Sequence, residues 1–487
     1  MLISKLAQSA ARASALFCAA FFALTIVAPS AGAQPALSAT QAQKIAVDAY
    51  IYGYSLMTSN VTMAAFTNVA APNAKTLQAP INQFVNLPKY PPADYRGVTA
   101  PNADTLYSAA FLDVSKEPIV FSYPNMHGRY FLFPIYSQWT EVLAAPGSRT
   151  RGSAAQNVLI SGPAWHGTVP PGITEHIASP SGNLFIIGRV YAQATDADYA
   201  AVHALQSNFK LVPLDAYGKS YTPPAGTVDP HAPSVGEKVR TIIAAMSAQV
   251  YFSAMAASMA VNPPVMPQDR AIVGEMAQIG LVAGKPFSTA GLAPDVQKAL
   301  DAVPKLAFAR IAALADKAPT LVHGWNVKGA SGGRYGANYL QRAMISAFGW
   351  GANQPQDAVY PYAQADSTGA PLVGANVYRL RFPKGQMPPV NGFWSITMYD
   401  SEYFFYPNAL DKLTESLRDH PHANTDGSTD LYFSHVKPAN VAQSNWLPAP
   451  SGKFILMMRM YWPKETPPSI LDGTWSPPPV MDIRPAR

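Results

Sequence analysis

Residues 101–107 read Pro-Asn-Ala-Asp-Thr-Leu-Tyr and place a rigid turn directly before a strand-like run. Proline presets the backbone of a turn, and short Asn and Asp side chains hydrogen-bond to backbone amides of the same turn. A second stretch of this kind lies near the end of the chain, where residues 445–450 read Asn-Trp-Leu-Pro-Ala-Pro. Aromatic, strand-like runs accompany both stretches, at 129–133 and 393–399. The pattern predicts two compact β-rich modules that hold specific side chains in fixed places.

The composition is typical of a globular protein built from many short elements. The chain has 487 residues, which exceeds the usual size of one core and predicts two or three domains. Hydrophobic residues make up 48% and charged residues only 13%, against a usual share of roughly 25% for charged residues. The 46 prolines and 32 glycines therefore indicate strands joined by shaped loops rather than disorder.

The first 33 residues have the features of a cleavable export signal. Lys5 and Arg12 supply a positive start, residues 13–28 form an apolar run, and residues 31–33 read Ala-Gly-Ala, a small-residue cleavage site. We expect cleavage before Gln34 and a periplasmic or secreted product. The alternative is an uncleaved anchor, although the apolar run is short for a membrane span.

Cysteine and charge exclude several classes of function for the exported form. Cys18 is the only cysteine and lies inside the predicted leader, so the exported form has no disulfide, thiol nucleophile or thiolate metal site. The net charge is +6, but no run of basic residues exists, which disfavours nucleic-acid binding. No segment after the leader reaches membrane-span length without a charge or a proline. We therefore expect neither a nucleic-acid partner nor a stable membrane span.

Hydrophobic periodicity divides the exported chain into three predicted parts. They are a β module with a leading helix at 34–230, a helical connector at 231–350 and a second β module at 351–487. The predicted helices are 42–57, 196–209, 234–260, 269–282, 294–315 and 336–348, and the predicted strands are 106–114, 119–123, 129–139, 158–161, 184–192, 377–382, 393–399, 430–434 and 454–461. The fold class is α+β, mainly β, with two antiparallel β-sandwich or jelly-roll-like modules joined by the connector.

Familiar catalytic signatures are missing from the sequence. It contains no His-Glu-x-x-His zinc helix, no phosphate loop and no dinucleotide fingerprint after a strand. Residues 329–333 match the nucleophile-elbow pattern, but an elbow must follow a buried strand of a parallel sheet, so we expect a glycine loop. Residues 422–427 resemble the start of a calcium loop, yet its twelfth position is Phe433, and a hairpin turn at 424–428 is favoured. We predict no metal and no cofactor.

The turn before the first long strand contains the strongest candidate site. Asn102, Asp104, Thr105 and Tyr107 combine an amide, a carboxylate and two hydroxyls within six residues. In one interpretation these side chains only fix the turn through backbone hydrogen bonds. In the other, Asp104 accepts a proton or anchors a polar group, while Tyr107 leads into the strand. The sequence does not decide between the two.

Several arginines occur within strand-like apolar runs, where one face of each strand is buried. They are Arg129, Arg189, Arg379, Arg381 and Arg459, and Arg149 and Arg151 follow a nearby turn. A buried guanidinium must be paired. Taken singly, each arginine is expected to pair with an acid such as Asp104, Asp113, Glu141, Asp400 or Glu402. Taken as a set, the arginines predict one cavity that holds the carboxylate, sulfate or phosphate of a ligand.

Motifs at both ends of the chain resemble two families of domains of unknown function. Residues 102–108, 128–130 and 162–165 resemble family 1254, and residues 392–399, 426–428, 445–450 and 459–463 resemble family 1214, while 335–336 and 342–343 also fit. The resemblance implies a β-sandwich or jelly-roll-like module at each end with helices between them, and it implies no established activity. The chain departs from the pattern after the Arg129 strand, where Gln-Trp-Thr-Glu at 138–141 replaces an expected acidic residue.

These observations favour an exported enzyme, hydrolase-like, that acts on a small anionic or aromatic metabolite by hydrolysis or proton transfer. Asp104 would be a general acid or base, Tyr107 a proton donor, and Arg129 with Arg149 a clamp on developing charge. The residues predicted to contact the ligand are Asn102, Trp139, Arg149, Arg189, Tyr378, Trp394 and Arg459.

The alternative function is a non-catalytic module that binds carbohydrate, an envelope component or a partner protein through exposed aromatic side chains. A purely structural envelope subunit is a third option. A homo-oligomer is compatible with each of these functions.

Overall fold

The computed structural model of the chain describes residues 37–317, 319–327 and 332–483. The predicted leader at 1–33 and most of the glycine loop at 329–333 lie outside the described residues. Residues from Ser38 onward belong to one unit, in which helices and strands take similar shares, 25% and 24%.

The long first helix is the centre of the helical part. The described helices are α1 (Ala39–Phe66), α2 (Ser148–Arg151), α3 (Asp196–Gln206), α4 (Val239–Ala244), α5 (Ala248–Val261), α6 (Arg270–Gln278), α7 (Pro294–Asp301), α8 (Val303–Ala315) and α9 (Tyr339–Phe348). The Ser38 hydroxyl accepts a hydrogen bond from the Gln41 N–H and caps α1, which extends beyond the predicted 42–57. Because α4 to α9 pack around α1, most of its residues are buried.

Two predicted connector helices are each divided in two. Ser247 accepts a hydrogen bond from the N–H of Val250 and caps α5, so the predicted helix 234–260 becomes α4 and α5. Pro304 lies in the first turn of α8, where its missing N–H costs no helical hydrogen bond. The predicted helix 294–315 is therefore α7 followed by α8.

The N-terminal module contains two sheets. Its strands are β1 (Val85–Asn86), β2 (Thr105–Asp113), β3 (Ile119–Tyr123), β4 (Phe131–Leu132), β5 (Ile135–Ser137), β6 (Val142–Ala144), β7 (Gln156–Ser161), β8 (Glu175–Ala178), β9 (Asn183–Tyr191) and β10 (Lys210–Pro213). The larger sheet, here sheet N, has the order β1-β2-β9-β5-β6 with β4 also on β9, and the smaller has the order β10-β3-β7-β8. The predicted strand 129–139 is interrupted because Pro134 has no N–H to donate.

The core of this module lies between its two sheets. Leu106, Ala110 and Leu112 of β2 point to one side of sheet N and pack with Val158 and Ile160 of β7. Side chains alternate along a strand, so the residues between them point to the other side of sheet N.

The C-terminal module repeats this arrangement. Its strands are β11 (Leu321–Val322), β12 (Trp325–Asn326), β13 (Ala358–Val359), β14 (Tyr362–Ala363), β15 (Tyr378–Phe382), β16 (Val390–Asp400), β17 (Thr414–Ser416), β18 (Thr429–Ser434), β19 (Trp446–Pro448), β20 (Phe454–Pro463) and β21 (Val480–Asp482). The larger sheet, here sheet C, has the order β11-β12-β14-β20-β16-β17 with β13 also on β20, and the smaller has the order β19-β18-β15-β21. Ile396 and Met398 of β16 pack with Leu456 of β20 and Leu431 of β18 in the core between them.

The predicted α+β class is confirmed, and strand pairing is antiparallel except for β7 with β8 and β18 with β19. The jelly-roll form and the module boundaries stay predictions. None of the described helices combines the length and the apolar composition that crossing a bilayer requires.

The buried Glu415 of β17 makes the stability of the fold depend on pH. Burial raises the pKa of its carboxyl to about 8, although the Lys412 ammonium opposes the shift. The folded protein thus holds this proton more tightly than the unfolded chain. The stabilisation by the neutral form is complete below the ordinary pKa of about 4.5 and is lost as the pH rises through about 8.

We expect the free energy of unfolding to fall between about pH 5 and about pH 9 more steeply in the wild type than in Glu415→Gln, because the amide does not ionise. Guanidinium unfolding at both pH values measures the two slopes. Glu465→Gln, at an exposed position, is the control and should keep the wild-type slope. Equal slopes for the wild type and Glu415→Gln would contradict the role given to this carboxyl.

Candidate functional site

One side of sheet N and one side of sheet C belong to the hydrophobic cores of their modules. The two sheets face each other with their other sides. On sheet N, Tyr107 of β2 and Arg189 of β9 are cross-strand partners on this side. On sheet C, Ser395 of β16 and Arg459 of β20 are cross-strand partners on the corresponding side. We define the intersheet layer as Asn102, Asp104, Tyr107, Arg189, Tyr360, Ser395, Arg418, Arg459 and Tyr461.

Aromatic rings from both sheets meet next to these polar residues. The rings of Tyr191 and Phe393 have centroids 4.5 Å apart, and Phe393 stacks on Tyr461 at 4.4 Å. Tyr130 of the N-terminal module contacts both Phe393 and Tyr461 edge-on, at 5.3 and 5.7 Å. The layer therefore combines polar and aromatic side chains, whereas the cores on either side are apolar.

Asn102 ties the turn before β2 to the opposite module. Its Oδ1 accepts hydrogen bonds from the N–H groups of Asp104 and Thr105, at 2.7 and 3.0 Å, which is the turn chemistry that the sequence predicted. Its Nδ2 donates to the Tyr461 hydroxyl at 2.7 Å. One amide side chain thus closes the turn and contacts sheet C.

Asp104 is fully buried between two residues of the C-terminal module. The Ser395 hydroxyl donates to Oδ2 at 2.6 Å, and Arg418 Nη2 lies 3.1 Å from Oδ1. Oδ1 has no hydrogen bond among the described residues, so the contact with Arg418 is mainly electrostatic. Burial by itself lowers the pKa of Arg418, but the Asp104 carboxylate and nearby tyrosines raise it above its ordinary value. Asp104 therefore joins the two modules through an ion pair and a hydrogen bond.

Arg459 is 5% exposed and is surrounded by neutral acceptors. Its Nη2 donates to the carbonyls of residues 100 and 101, at 2.8 and 3.0 Å, and to the Tyr399 hydroxyl at 2.5 Å. Its Nε donates to the Thr397 hydroxyl at 3.3 Å. Within the described ranges, no acidic side chain forms an ion pair with Arg459.

Arg189 is 7% exposed and less well satisfied. Its Nη1 donates to the carbonyl of Ile187 at 2.8 Å, and the Tyr136 hydroxyl is a further hydrogen-bond neighbour. Its guanidinium lies 5.2 Å from the centroid of the Tyr107 ring, a cation–π distance. The Nε of Arg189 is buried without a partner, and no described acid forms an ion pair with this residue.

Three tyrosines, Tyr107, Tyr360 and Tyr461, lie within electrostatic reach of both guanidiniums. Burial raises the pKa of Tyr360 and of Tyr461, so both phenols keep their protons at neutral pH. The hydroxyl of Tyr360 accepts a hydrogen bond from Asn353 at 2.7 Å, as that of Tyr461 does from Asn102. Each hydroxyl therefore keeps its own proton to donate.

Two tyrosines of the layer keep part of their surface exposed. Tyr107 and Tyr360 are only partly buried, although Leu106 and Ser108 on either side of Tyr107 have no exposed surface. The Tyr107 hydroxyl forms no hydrogen bond with the described residues.

The two arginines predicted as a clamp lie outside the layer, each with its own carboxylate. Arg129 Nη2 lies 2.7 Å from Asp198 Oδ1, and Arg149 Nε lies 2.7 Å from Asp357 Oδ1. Arg149 also lines a polar cleft of about 420 Å³. The other charged residues of that cleft are Arg151, Glu175, Arg334 and Glu465.

The aromatic residues predicted to wall a pocket lie elsewhere. The Trp139 ring covers the Arg342 guanidinium at 5.1 Å, and its indole N–H donates to the Asn262 carbonyl. Tyr378 and Trp394 are buried in the core of the C-terminal module. The predicted residues that the layer brings together are Asn102, Asp104, Tyr107, Arg189 and Arg459, and those outside it are Arg129, Trp139, Arg149, Tyr378 and Trp394.

Four residues of the layer were not predicted. Ser395 and Tyr461 lie inside the stretches 392–399 and 459–463. Strand alternation places both side chains on the same side of sheet C as Arg459. Tyr360 and Arg418 lie in an irregular segment and a short 3₁₀ turn, which carry no such signal. Among the described residues, no three His, Cys, Asp or Glu side chains are close enough together to hold a metal ion.

Two regions of the chain match family models that are described only as proteins of unknown function. Residues 81–213 match the family model described as a protein of unknown function, DUF1254, and residues 357–465 match that of a second, DUF1214. Two regions of the chain are therefore similar to these two families, which confirms the resemblance seen in the sequence.

One solved structure supports the fold. The crystal structure of the VPA0106 protein from Vibrio parahaemolyticus matches with a TM-score of 0.67 and 23% identity, over 91% of this chain and 100% of that chain. An uncharacterised protein from Burkholderia cenocepacia matches with a TM-score of 0.41 and 11% identity, over 91% of this chain and 94% of that chain. No curated protein matches the chain. The likeness to VPA0106 extends to the fold alone.

Asp104→Asn should lower the free energy of unfolding by about 3–5 kcal/mol, because Arg418 then keeps a buried charge without a carboxylate. Chemical unfolding of the purified variant measures the loss. Asp426→Asn is the matched control, since the ion pair of Asp426 with Arg381 is exposed and its loss should change stability little. Equal losses in the two variants would contradict the structural role of Asp104.

Proposed function

We propose that this protein binds a small anionic metabolite in the intersheet layer. The observation that supports it is the burial of Arg189 and Arg459 without an ion pair in the described part of the chain. Removing a charged group from water costs several kcal/mol unless a partner compensates it. A bound anion would supply that partner, and guanidinium groups suit carboxylate and phosphate oxygens.

The residues outside the described ranges do not provide the missing acids. Their sequences contain no Asp or Glu side chain, neither in 1–36 nor at 318, 328–331 or 484–487. Undescribed Asp or Glu side chains therefore do not account for the missing ion pairs of the two arginines, and this favours a ligand as a further source of negative charge.

We further propose that the protein is an enzyme that acts on this anion. The reaction would be a proton transfer to or from the anion, or its hydrolysis. Tyr107 would donate the proton, because its hydroxyl is unbonded in the described structure and its ring lies against the Arg189 guanidinium. Arg189 and Arg459 would hold the developing negative charge. Asp104 would act through Ser395, whose hydroxyl it already binds at 2.6 Å.

The alternative is a non-catalytic binding protein that holds the anion without changing it. It is favoured by the engagement of Asp104 with both Arg418 and Ser395, which leaves this carboxylate no free access to a ligand. The two functions share the binding site and differ in whether turnover occurs.

We also propose export of the protein, on the basis of the predicted leader at 1–33. Expression of the full chain in a Gram-negative host should give a periplasmic product whose N-terminal residue, by Edman sequencing, is Gln34. A cytoplasmic product that begins at Met1 would contradict export.

A thermal-shift panel of benzoate, fumarate, terephthalate, phosphate and sulfate, with glucose as a neutral control, tests the binding proposal. We expect at least one acid to raise the melting temperature of the wild type, because a ligand that binds only the folded state stabilises it. The rise should be lost in Arg189→Met and in Arg459→Met. Arg381→Met, which removes an exposed arginine, should keep it.

Turnover is measured in the same samples by NMR of the stabilising acid. To detect proton exchange, the samples are prepared in heavy water. If the protein is an enzyme, Tyr107→Phe should keep the melting-temperature rise and lose turnover, since the phenylalanine ring still covers Arg189 without a proton to donate. Unchanged turnover in Tyr107→Phe would contradict the role of Tyr107. No stabilisation by any acid would contradict the binding proposal itself.

A further inference from the structure

We infer that the ligand of the intersheet layer is a dicarboxylate that presents one carboxylate to each sheet. This inference rests on the proposed binding function and specifies the class of its ligand. It follows from the number of unpaired charges, from where they lie and from the protonation of the tyrosines between them.

Two arginines of the layer form no ion pair with a described acid, although Asp104 lies within electrostatic reach of Arg459 and Asp357 within that of Arg189. Arg418 within the layer is paired with Asp104. Two arginines outside the layer are paired in the same way, Arg129 with Asp198 and Arg149 with Asp357. Two remain, Arg189 and Arg459, for which no described acid forms an ion pair. A monoanion would compensate one guanidinium and leave the other buried and unpaired. A dianion compensates both.

The tyrosines do not supply the missing negative charge. The pKa of Tyr136, of Tyr360 and of Tyr461 is raised by burial, so these phenols are neutral at physiological pH. Neutral phenols instead donate hydrogen bonds, which carboxylate oxygens accept. The layer therefore combines two positive charges with neutral donors.

The two guanidiniums belong to different sheets, which favours two separate acidic groups over one compact dianion. Arg189 lies on β9 opposite Tyr107, and Arg459 lies on β20 opposite Ser395. Tyr107 and Tyr461 lie within electrostatic reach of both. Between the sheets, the ligand would pass aromatic surfaces, since Phe393 stacks on Tyr461 at 4.4 Å. A planar, unsaturated or aromatic middle suits such surfaces.

Paired ligands that differ by one charge test the inference. Fumarate, isophthalate and terephthalate are each compared with their own monomethyl ester by isothermal titration of the wild type at low ionic strength. We expect at least one diacid to bind at least about ten-fold more tightly than its monoester, because the ester leaves one arginine unpaired. In Arg189→Met and Arg459→Met the diacid should fall to the affinity of the monoester. Arg381→Met should behave as the wild type.

Each outcome bears on a different proposal. A monoester that binds as tightly as its diacid overturns the dicarboxylate inference and leaves anion binding in place. Tight diacid binding that survives in both Met variants places the site elsewhere and also overturns the inference. Binding of none of the acids overturns the proposed function as well. If the Met variants fail to fold, Arg189→Lys and Arg459→Lys keep the charge, and the comparison of each diacid with its ester in the wild type still decides.

Discussion

The turn at residues 100–105 is the constraint on which the arrangement of the two sheets depends. Its carbonyls at 100, 101 and 103 accept hydrogen bonds from Arg459, Tyr399 and Arg418, all of which belong to the C-terminal module. A buried carbonyl without a donor costs about 1–3 kcal/mol, so this turn can be buried only where the opposite module supplies those donors. Polar groups therefore help to specify how the modules pack, together with a small apolar cluster of Ala103, Tyr399, Phe405 and Ile455. The two large hydrophobic cores each lie within one module.

Stability alone does not explain why the surfaces between the sheets are charged. Replacing buried ion pairs with well-packed apolar residues is often neutral or stabilising, and unpaired buried cations are more costly still. Arg418 and Asp104 at least satisfy each other and connect the modules. Arg189 and Arg459 make no such pair among the described residues, yet both occupy central strands where an aliphatic side chain would pack well. Arg459 also holds the turn, so the proposed binding is needed mainly to explain the burial of Arg189.

Hydrophobic periodicity predicted much of the fold. It could also have excluded two of the predicted ligand-contacting residues from the site. Trp394 is in phase with Ile396 and Met398, and Tyr378 is in phase with Leu380 and Phe382, so strand alternation alone assigns both to the core. Arg459 alternates with the core residues Met458 and Met460 of β20, so the same rule places it on the other side of the sheet. What periodicity cannot give is the pairing of strands far apart in the chain, which brings Tyr107 against Arg189, or the reach of Arg418 from a short 3₁₀ turn into another module. Those contacts depend on the tertiary fold.

The two arginines are not equivalent, and the difference indicates how the layer would hold an anion. Four neutral oxygens surround Arg459, three of them on the turn and on Tyr399, so its position is fixed by the same contacts that join the modules. Arg189 has one backbone carbonyl, a tyrosine ring and a buried Nε without a partner. An anion gains most where the guanidinium is least satisfied, because there it replaces missing interactions instead of competing with existing ones. Arg189 would therefore be the main anchor, with Arg459 as a fixed second charge, and neither module alone contains both.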